Sequence, residues 1–313
     1  MTERLRVAVL RGGWSSEREV SLKSGEAVID TLKKQNYDVI AVDPVNDLVR
    51  FAAQISSTRA DVIFNALHGT GGEDGIIQGA LDMCGIPYTH SGLRASAIAM
   101  DKKLTKIIAG SIGIKVAEDK IIKRSELKNG HPIQPPYVVK PVSEGSSVGV
   151  AIVQNDATEA LKGNPDQLVL VEKYIAGEEL TVGVIDKGDG PEILGITKLQ
   201  PKSGFYDYTN KYTDGMTTHI VNPELPKNIA DQITQAAVMI HKTLGCADVT
   251  RSDFRYNPED GAVFLEINTH PGMTALSLVP EQAAAKGLAF EALVVTIINA
   301  ALKRFSTSLV KAA

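Results

Sequence analysis

Cysteine is close to absent. Cys84 and Cys246 are the only two in 313 residues, and they have no metal-ligand spacing. This argues against a disulfide framework or a cysteine-held metal and fits two free thiols in a reducing cytosol. No apolar run approaches the ~20 residues that span a bilayer. No basic tract is present either: acidic and basic residues are interspersed, with a net charge of −4. Neither nucleic acid nor a membrane is therefore expected as a partner. Met1 to Leu10 runs straight into an apolar strand, without the apolar core and cleavage site of a secretory peptide. The expected location is the cytoplasm. What remains is ordinary globular material, 43% hydrophobic and 22% charged, long enough for two or three domains.

The chain opens as alternating β/α units. Strands are expected at Leu5–Leu10, Tyr37–Val42 and Asp61–Leu67, and a helix from about Glu17 to Lys34. That alternation predicts a parallel, Rossmann-like sheet with ligands at the carboxyl ends of its strands. Gly12-Gly13 and the segment His68–Gly75 both lie there. Ser15 or Ser16 can cap the helix, which leaves the charged run Glu17-Arg18-Glu19 at the ligand edge unexplained. The pattern turns helical near 91–102, where the first domain boundary is placed.

The middle reads as antiparallel hairpins packed with helices, an α+β arrangement. Strands are expected at 137–141, 148–153, 168–175, 180–185 and 192–199. Helices are expected over Asp231–Leu244, with Ile233, Ala236, Ala237 and Ile240 on one face, and over Glu281–Phe305.

Several segments carry candidate chemistry. Lys140 ends a strand and precedes the small-residue turn Glu144-Gly-Ser-Ser147, where backbone amides can approach a phosphate. It is not a P-loop, because the lysine comes first. Glu172 and Glu179 flank a segment suited to a nucleotide base and ribose. Gly204–Tyr212 reads as a long loop of lid type. Gly272 can present an amide to an oxyanion, and Ser277 with the Leu278 amide can hold a carboxylate at a helix start. The densest cluster is the hairpin Arg251–Asn268, whose turn is Asn257-Pro-Glu-Asp-Gly261. If Asp253 pairs with Glu266, Arg251 falls opposite Asn268, and all four share one pleat face. Three hard oxygen ligands beside one guanidinium suit Mg²⁺ on polyphosphate, with the arginine facing developing negative charge.

In chain order these segments resemble the D-alanine–D-alanine ligases of the ATP-grasp superfamily. The resemblance covers nearly the whole chain. Its most specific parts are Gly12-Gly13 with Ser16–Leu22, His68 with Gly71–Gly75, Met100-Asp-Lys102, Glu144–Gly149, Lys211-Tyr212, and Glu266–Asn268 with Pro271–Thr274 and Ser277–Pro280. It implies an N-terminal parallel-sheet domain (1–97), a central ATP-grasp subdomain (98–184), and a C-terminal ATP-grasp subdomain (185–313) carrying the metal and substrate site. It implies ATP-dependent joining of two D-alanine molecules through an acyl phosphate, giving ADP and phosphate, for peptidoglycan synthesis by a cytoplasmic homodimer. The alternative within the superfamily is a D-alanine–D-lactate ligase or another carboxylate–amine ligase.

The implied roles follow residue by residue. Lys102, Lys140 and Ser147 would contact phosphates, and Lys211 the terminal one. Glu172, Lys173 and Ile175 would line the adenine pocket, and Glu179 would hold the ribose. Asp253, Glu266 and Asn268 would bind two Mg²⁺ or Mn²⁺ ions. Glu17 would bind the first ammonium, in a triad with Ser146 and Tyr212. Arg251 and Gly272 would stabilise the tetrahedral centre, Ser277 and Leu278 would take the second carboxylate, and His68 would lie near the substrate. Trp14, His270 and Ala275-Leu276 depart from the family pattern, the last beside the second substrate's carboxylate.

Overall fold

The computed structural model describes residues 4–145, 149–202, 215–274 and 277–312. Strands β1 (Arg6–Leu10), β2 (Asp38–Val42) and β3 (Val62–Asn65) form a parallel sheet of order β2-β1-β3. Central β1 is apolar on both faces. Val7 and Val9 join one core with Val28 and Leu32 of helix α1 (Arg18–Lys34). Ala8 and Leu10 join another with Phe51 and Ile55 of α2 (Leu48–Thr58) and Leu81 of α3 (Ile76–Cys84). Helices therefore cover both faces, as a parallel sheet requires. Because β1 lies between β2 and β3, the chain reverses direction across the sheet there. A crevice opens beyond the carboxyl ends of β1 and β3, and Gly12-Gly13 and His68–Gly75 follow those ends.

Helix α1 starts differently from expectation. Its N-cap is Glu17, with no side-chain cap bond. Ser15 Oγ instead donates to the His68 carbonyl at 2.6 Å and accepts from the Glu17 amide at 3.1 Å. The serine joins the two strand-end loops rather than capping the helix.

The expected helical stretch near 91–102 is two helices, α4 (Leu93–Met100) and α5 (Lys102–Ser111), broken at Asp101. Asp101 caps α5 by accepting from the Leu104 amide at 2.9 Å. A four-stranded antiparallel sheet follows, of order β4-β7-β5-β6: β4 (Asp119–Lys123), β5 (Tyr137–Pro141), β6 (Ala151–Val153) and β7 (Leu168–Lys173). The sequence reading missed edge strand β4, whose alternation is masked by its charged ends.

The largest sheet has the order β10-β9-β8-β11-β12: β8 (Glu178–Asp186), β9 (Pro191–Pro201), β10 (Thr217–Val221), β11 (Val249–Asn257) and β12 (Gly261–Asn268). The expected division between residues 184 and 185 falls inside β8, which bonds to both β9 and β11. Helix α6 (Lys227–Leu244) covers one face with the expected apolar stripe, joined by Ala95 of α4 and Ala109 of α5. The tail is also two helices, α7 (Leu278–Ala285) and α8 (Phe290–Ala312). Leu293, Val294 and Ile297 of α8 share the core of Val7 and Val9, so the last helix packs on the first sheet. No single helix among the described residues is long and apolar enough to cross a membrane.

His241 lies on the buried face of α6, with Nδ1 2.8 Å from Thr250 Oγ1. Burial pushes its imidazole from an ordinary 6.5 down to about 4. The neutral ring therefore contributes its full stability above the unfolded-state value, and that contribution is lost as pH falls through about 4. Urea melts between neutral and acid pH are expected to show stability falling across this window. The fall should be shallower in His241→Gln; equal slopes would show that the ring contributes nothing to it.

Candidate active site

The β11–β12 hairpin forms on the expected turn. Asn257 Oδ1 accepts from the amides of Glu259 at 2.9 Å and Asp260 at 2.7 Å. Gly261 closes it at φ +69°, a conformation that favours glycine. The register is the expected one, with Arg251 opposite Asn268 and Asp253 opposite Glu266. The next pair is Phe254 with Phe264, which leaves Leu265 unmatched. Such a bulge re-aims side chains, and here consecutive Leu265 and Glu266 both line one cleft.

The cleft is about 820 Å³, open to solvent, and lined by strands of both antiparallel sheets. Lys140 on β5 and Glu172 and Lys173 on β7 come from one side; Glu179 on β8, Asp253 on β11 and Glu266 on β12 come from the other. Lys102 at the start of α5 and Ile175 line it as well, whereas Arg251 and Asn268 do not. Eight of the expected residues thus meet here, although they span more than half the chain.

Charges in the cleft are paired. Lys140 Nζ lies 2.9 Å from Glu172 Oε1. Burial pulls the Lys140 ammonium down, but the carboxylates of Glu172 and Glu266 outweigh it and hold the group above its ordinary value. Lys102 Nζ donates to the Glu144 carbonyl at 2.5 Å and lies 3.5 Å from Glu266 Oε2. Arg251 grips Asp253 with two parallel bonds, Nε to Oδ1 at 2.9 Å and Nη2 to Oδ2 at 2.8 Å. Asp253 and Glu266 supply hard carboxylate oxygens at paired register positions, the donor chemistry a divalent cation of the Mg²⁺ type takes. Among the described residues, no three His, Cys, Asp or Glu side chains cluster as a metal cage. The Asn268 amide oxygen accepts from the His270 backbone at 2.7 Å, which fixes its orientation.

Sequence reasoning missed three charged residues here. Arg255 pairs with Glu179 at 3.2 Å and donates to the carbonyls of Ile175 and Gly177. Its spacing two residues beyond Asp253 was the available signal. Lys106 and Asp119 lie behind Glu172. Lys106 is four residues beyond Lys102 and so on the same helical face, but nothing local reveals its partners.

Glu17, expected at the amino-acid end, is buried. An ideal Cβ on Gly145 would lie 2.5 Å from Glu17 Oε1, and one on Gly69 would lie 3.1 Å away. Gly145 also lines the cleft, so the crevice of the parallel sheet and the cleft meet at this glycine. Arg18 turns away to Asp43, at 2.5 Å, and Glu19 is exposed. His68 is buried with both ring nitrogens engaged, Nδ1 2.8 Å from Glu73 Oε1 and Nε2 3.0 Å from Ser24 Oγ. Its ring is fixed as part of the loop scaffold. The Trp14 indole lies directly over Gly71, where any Cβ would collide with it.

Beyond β12, Ser277 Oγ accepts from the Thr274 amide at 3.0 Å, and a Cβ on Gly272 would lie 2.8 Å from it. Gly272 is therefore held against Ser277, with Leu278 opening α7. His270 is buried, with Nε2 3.0 Å from Asn65 Nδ2, so the hairpin's end is tied to β3 of the parallel sheet. Ser146, Ser147, Lys211, Tyr212, Ala275 and Leu276 lie outside the described residues.

The family model of the D-ala D-ala ligase C-terminus matches residues 110–299, and that of the N-terminus residues 43–91. The chain is 47% identical to a D-alanine–D-alanine ligase of Rhizorhabdus wittichii, over 96% of this chain and 98% of the relative. It is 48% identical to one from Novosphingobium aromaticivorans, over 96% and 97%. Among solved structures it is similar to the D-alanine–D-alanine ligase from Bacillus anthracis complexed with ATP. That match has a TM-score of 0.80 and 32% identity, covering 98% of this chain and 100% of the other. With matching family models, near-complete coverage by relatives and the same architecture, the chain belongs to the D-alanine–D-alanine ligase family.

Proposed function

We propose that this enzyme joins two D-alanine molecules to D-alanyl-D-alanine, with conversion of ATP to ADP and phosphate, for peptidoglycan synthesis. The observation that carries the reading is the pairing of Asp253 with Glu266, which line one cleft with Lys102 and Lys140, with Arg251 paired to Asn268 two residues along the same hairpin. The chemical problem is charge. A carboxylate is a poor acceptor for an amine and is repelled by a triphosphate. Lys102 and Lys140 offset that repulsion. One carboxylate oxygen of the first D-alanine attacks the γ-phosphorus, and ADP leaves. The amine of the second D-alanine, having lost a proton, attacks the acyl carbon, and phosphate leaves. The cleft and crevice supply proximity, holding both amino acids and the nucleotide together.

Glu17 holds the first ammonium, a reading supported by its burial beside Gly145, which lines the cleft. Arg251 and the Gly272 amide face the tetrahedral oxyanion. Ser277 and the Leu278 amide receive the second carboxylate at the start of α7. Glu172, Lys173 and Ile175 border the base, and Glu179, steadied by Arg255, the ribose. Asp253, Glu266 and Asn268 would hold two Mg²⁺ ions, which supply charge neutralisation on the phosphates when bound. Ser146, Ser147, Lys211 and Tyr212 keep the roles that the family resemblance gives them. The three-part division is retained, with the second boundary moved to Gly177, because β8 belongs wholly to the five-stranded sheet. A homodimer in the cytoplasm completes the reading.

Coupled ADP detection tests it directly. ADP release is expected with D-alanine and not with L-alanine. D-lactate alongside D-alanine is expected to add no ester product. Ester formation at the dipeptide rate would move the assignment to the D-alanine–D-lactate class, and ADP release indifferent to D-alanine would remove it from the ligases.

A further inference from the structure

Lys106 is 1% exposed, yet carries an ammonium. A charge so far from water persists only where carboxylates surround it. Two do: Asp119 Oδ2 at 2.7 Å, and Glu172 Oε2 in close contact. The second Glu172 oxygen is held by Lys140 at 2.9 Å, and Asp119 is also held by Lys103. The result is an alternating chain, Lys103–Asp119–Lys106–Glu172–Lys140, running from α5 through β4 and β7 to β5. Burial alone would push the Asp119 carboxyl up, but the bonds from Lys103 and Lys106 outweigh it and hold it below its ordinary value.

Only Glu172 and Lys140 of this chain line the cleft; Lys106 does not. It stands behind Glu172, one helical turn along α5 from Lys102, which does line the cleft. One helix face thus supplies one lysine to the cleft and another to the carboxylate at its wall. With a lysine on each oxygen, the Glu172 carboxylate is held in one orientation. Loss of Lys106 would free one oxygen to swing toward Lys140 or the cleft.

We infer that Lys106 is a positioning residue of the nucleotide cleft, acting through Glu172 to fix both that carboxylate and the Lys140 ammonium for the incoming purine and phosphates. The inference rests on the reading of this cleft as the ATP site. An oriented carboxylate acceptor favours a base edge carrying an amino group over one carrying an oxo group, so Lys106 also sharpens the preference for ATP over GTP.

The test is a double-mutant cycle on the full chain, read by equilibrium ATP titration, steady-state kinetics and thermal melting. Lys106→Met is expected to weaken ATP binding at least tenfold, raise KM for ATP, leave KM for D-alanine within twofold, and narrow the ATP-to-GTP ratio. In a Glu172→Gln background the same change is expected to weaken ATP binding by less than twofold. Asp119→Asn, which loosens the other anchor of Lys106, is expected to weaken ATP binding threefold or more, and serves as the test if Lys106→Met does not fold. Two results overturn the inference. One is unchanged ATP affinity in whichever of the two single variants folds. The other is an undiminished loss in the Glu172→Gln background. Absence of saturable ATP binding by the unmodified protein removes the ATP reading itself, and this inference with it.

Discussion

Replacing Arg251 by alanine is expected to lower kcat by at least ~10²–10³, the usual effect of removing one preorganised contact to a developing oxyanion. The structure adds a second reason. Both Asp253 oxygens are held by the Arg251 fork, and the two side chains are only 15% and 11% exposed. Loss of the guanidinium leaves a nearly buried carboxylate without its partner and alters a proposed metal ligand at the same time. Arg251→Lys separates the two effects, because it keeps the charge but not the planar fork. An intermediate loss in that variant is the expected pattern. Single-turnover ADP release in folded protein, checked by melting, is the measurement, and turnover near that of the parent in Arg251→Ala would contradict the role.

Chelation of divalent cations is expected to abolish ADP release, with recovery on adding Mg²⁺. Glu266→Gln should raise the Mg²⁺ concentration for half-maximal rate by about tenfold or more, since even residues behind a metal ligand change affinity by about 10–100-fold. Glu266 has a particular sensitivity here. It directly follows the unmatched Leu265 at the bulge, and Lys102 Nζ sits 3.5 Å from its carboxylate. A neutral amide at this position loses both the cation and the lysine. Mn²⁺ binding followed by spin resonance provides a readout independent of turnover, and unchanged affinity for the cation would take Glu266 out of the ligand set.

Much of this architecture was legible along the chain because it depends on local pattern. The apolar run of β1, the stripe of α6 and the turn Asn257–Gly261 are each set by a few neighbouring residues, and each formed as expected. Antiparallel pairing across a short turn is nearly a local property too. That is why pairing of Asp253 with Glu266 could be named beforehand as the condition that sets Arg251 opposite Asn268, and the hairpin meets that condition. Breaks within continuous helical patterns were harder. The stop at Asp101 goes with its side chain capping α5, and the gap between α7 and α8 with Gly287 at φ +85°, where the Gly287 and Leu288 amides close the end of α7; each signal is a single residue inside a run that otherwise reads as helix.

By itself, the sequence pointed to the sheet classes and the β11–β12 turn and, through the resemblance, proposed which side chains form the site. Tertiary structure alone decided what those side chains touch. The clearest cases are the fork of Arg251 on Asp253, the engagement of both His68 nitrogens, the link from His270 to Asn65, and the burial of Lys106 between Asp119 and Glu172. The physical reason is that a charge or ring is stabilised by partners on other elements, brought near only when separate sheets and helices close on one another. No periodicity within one segment records those partners.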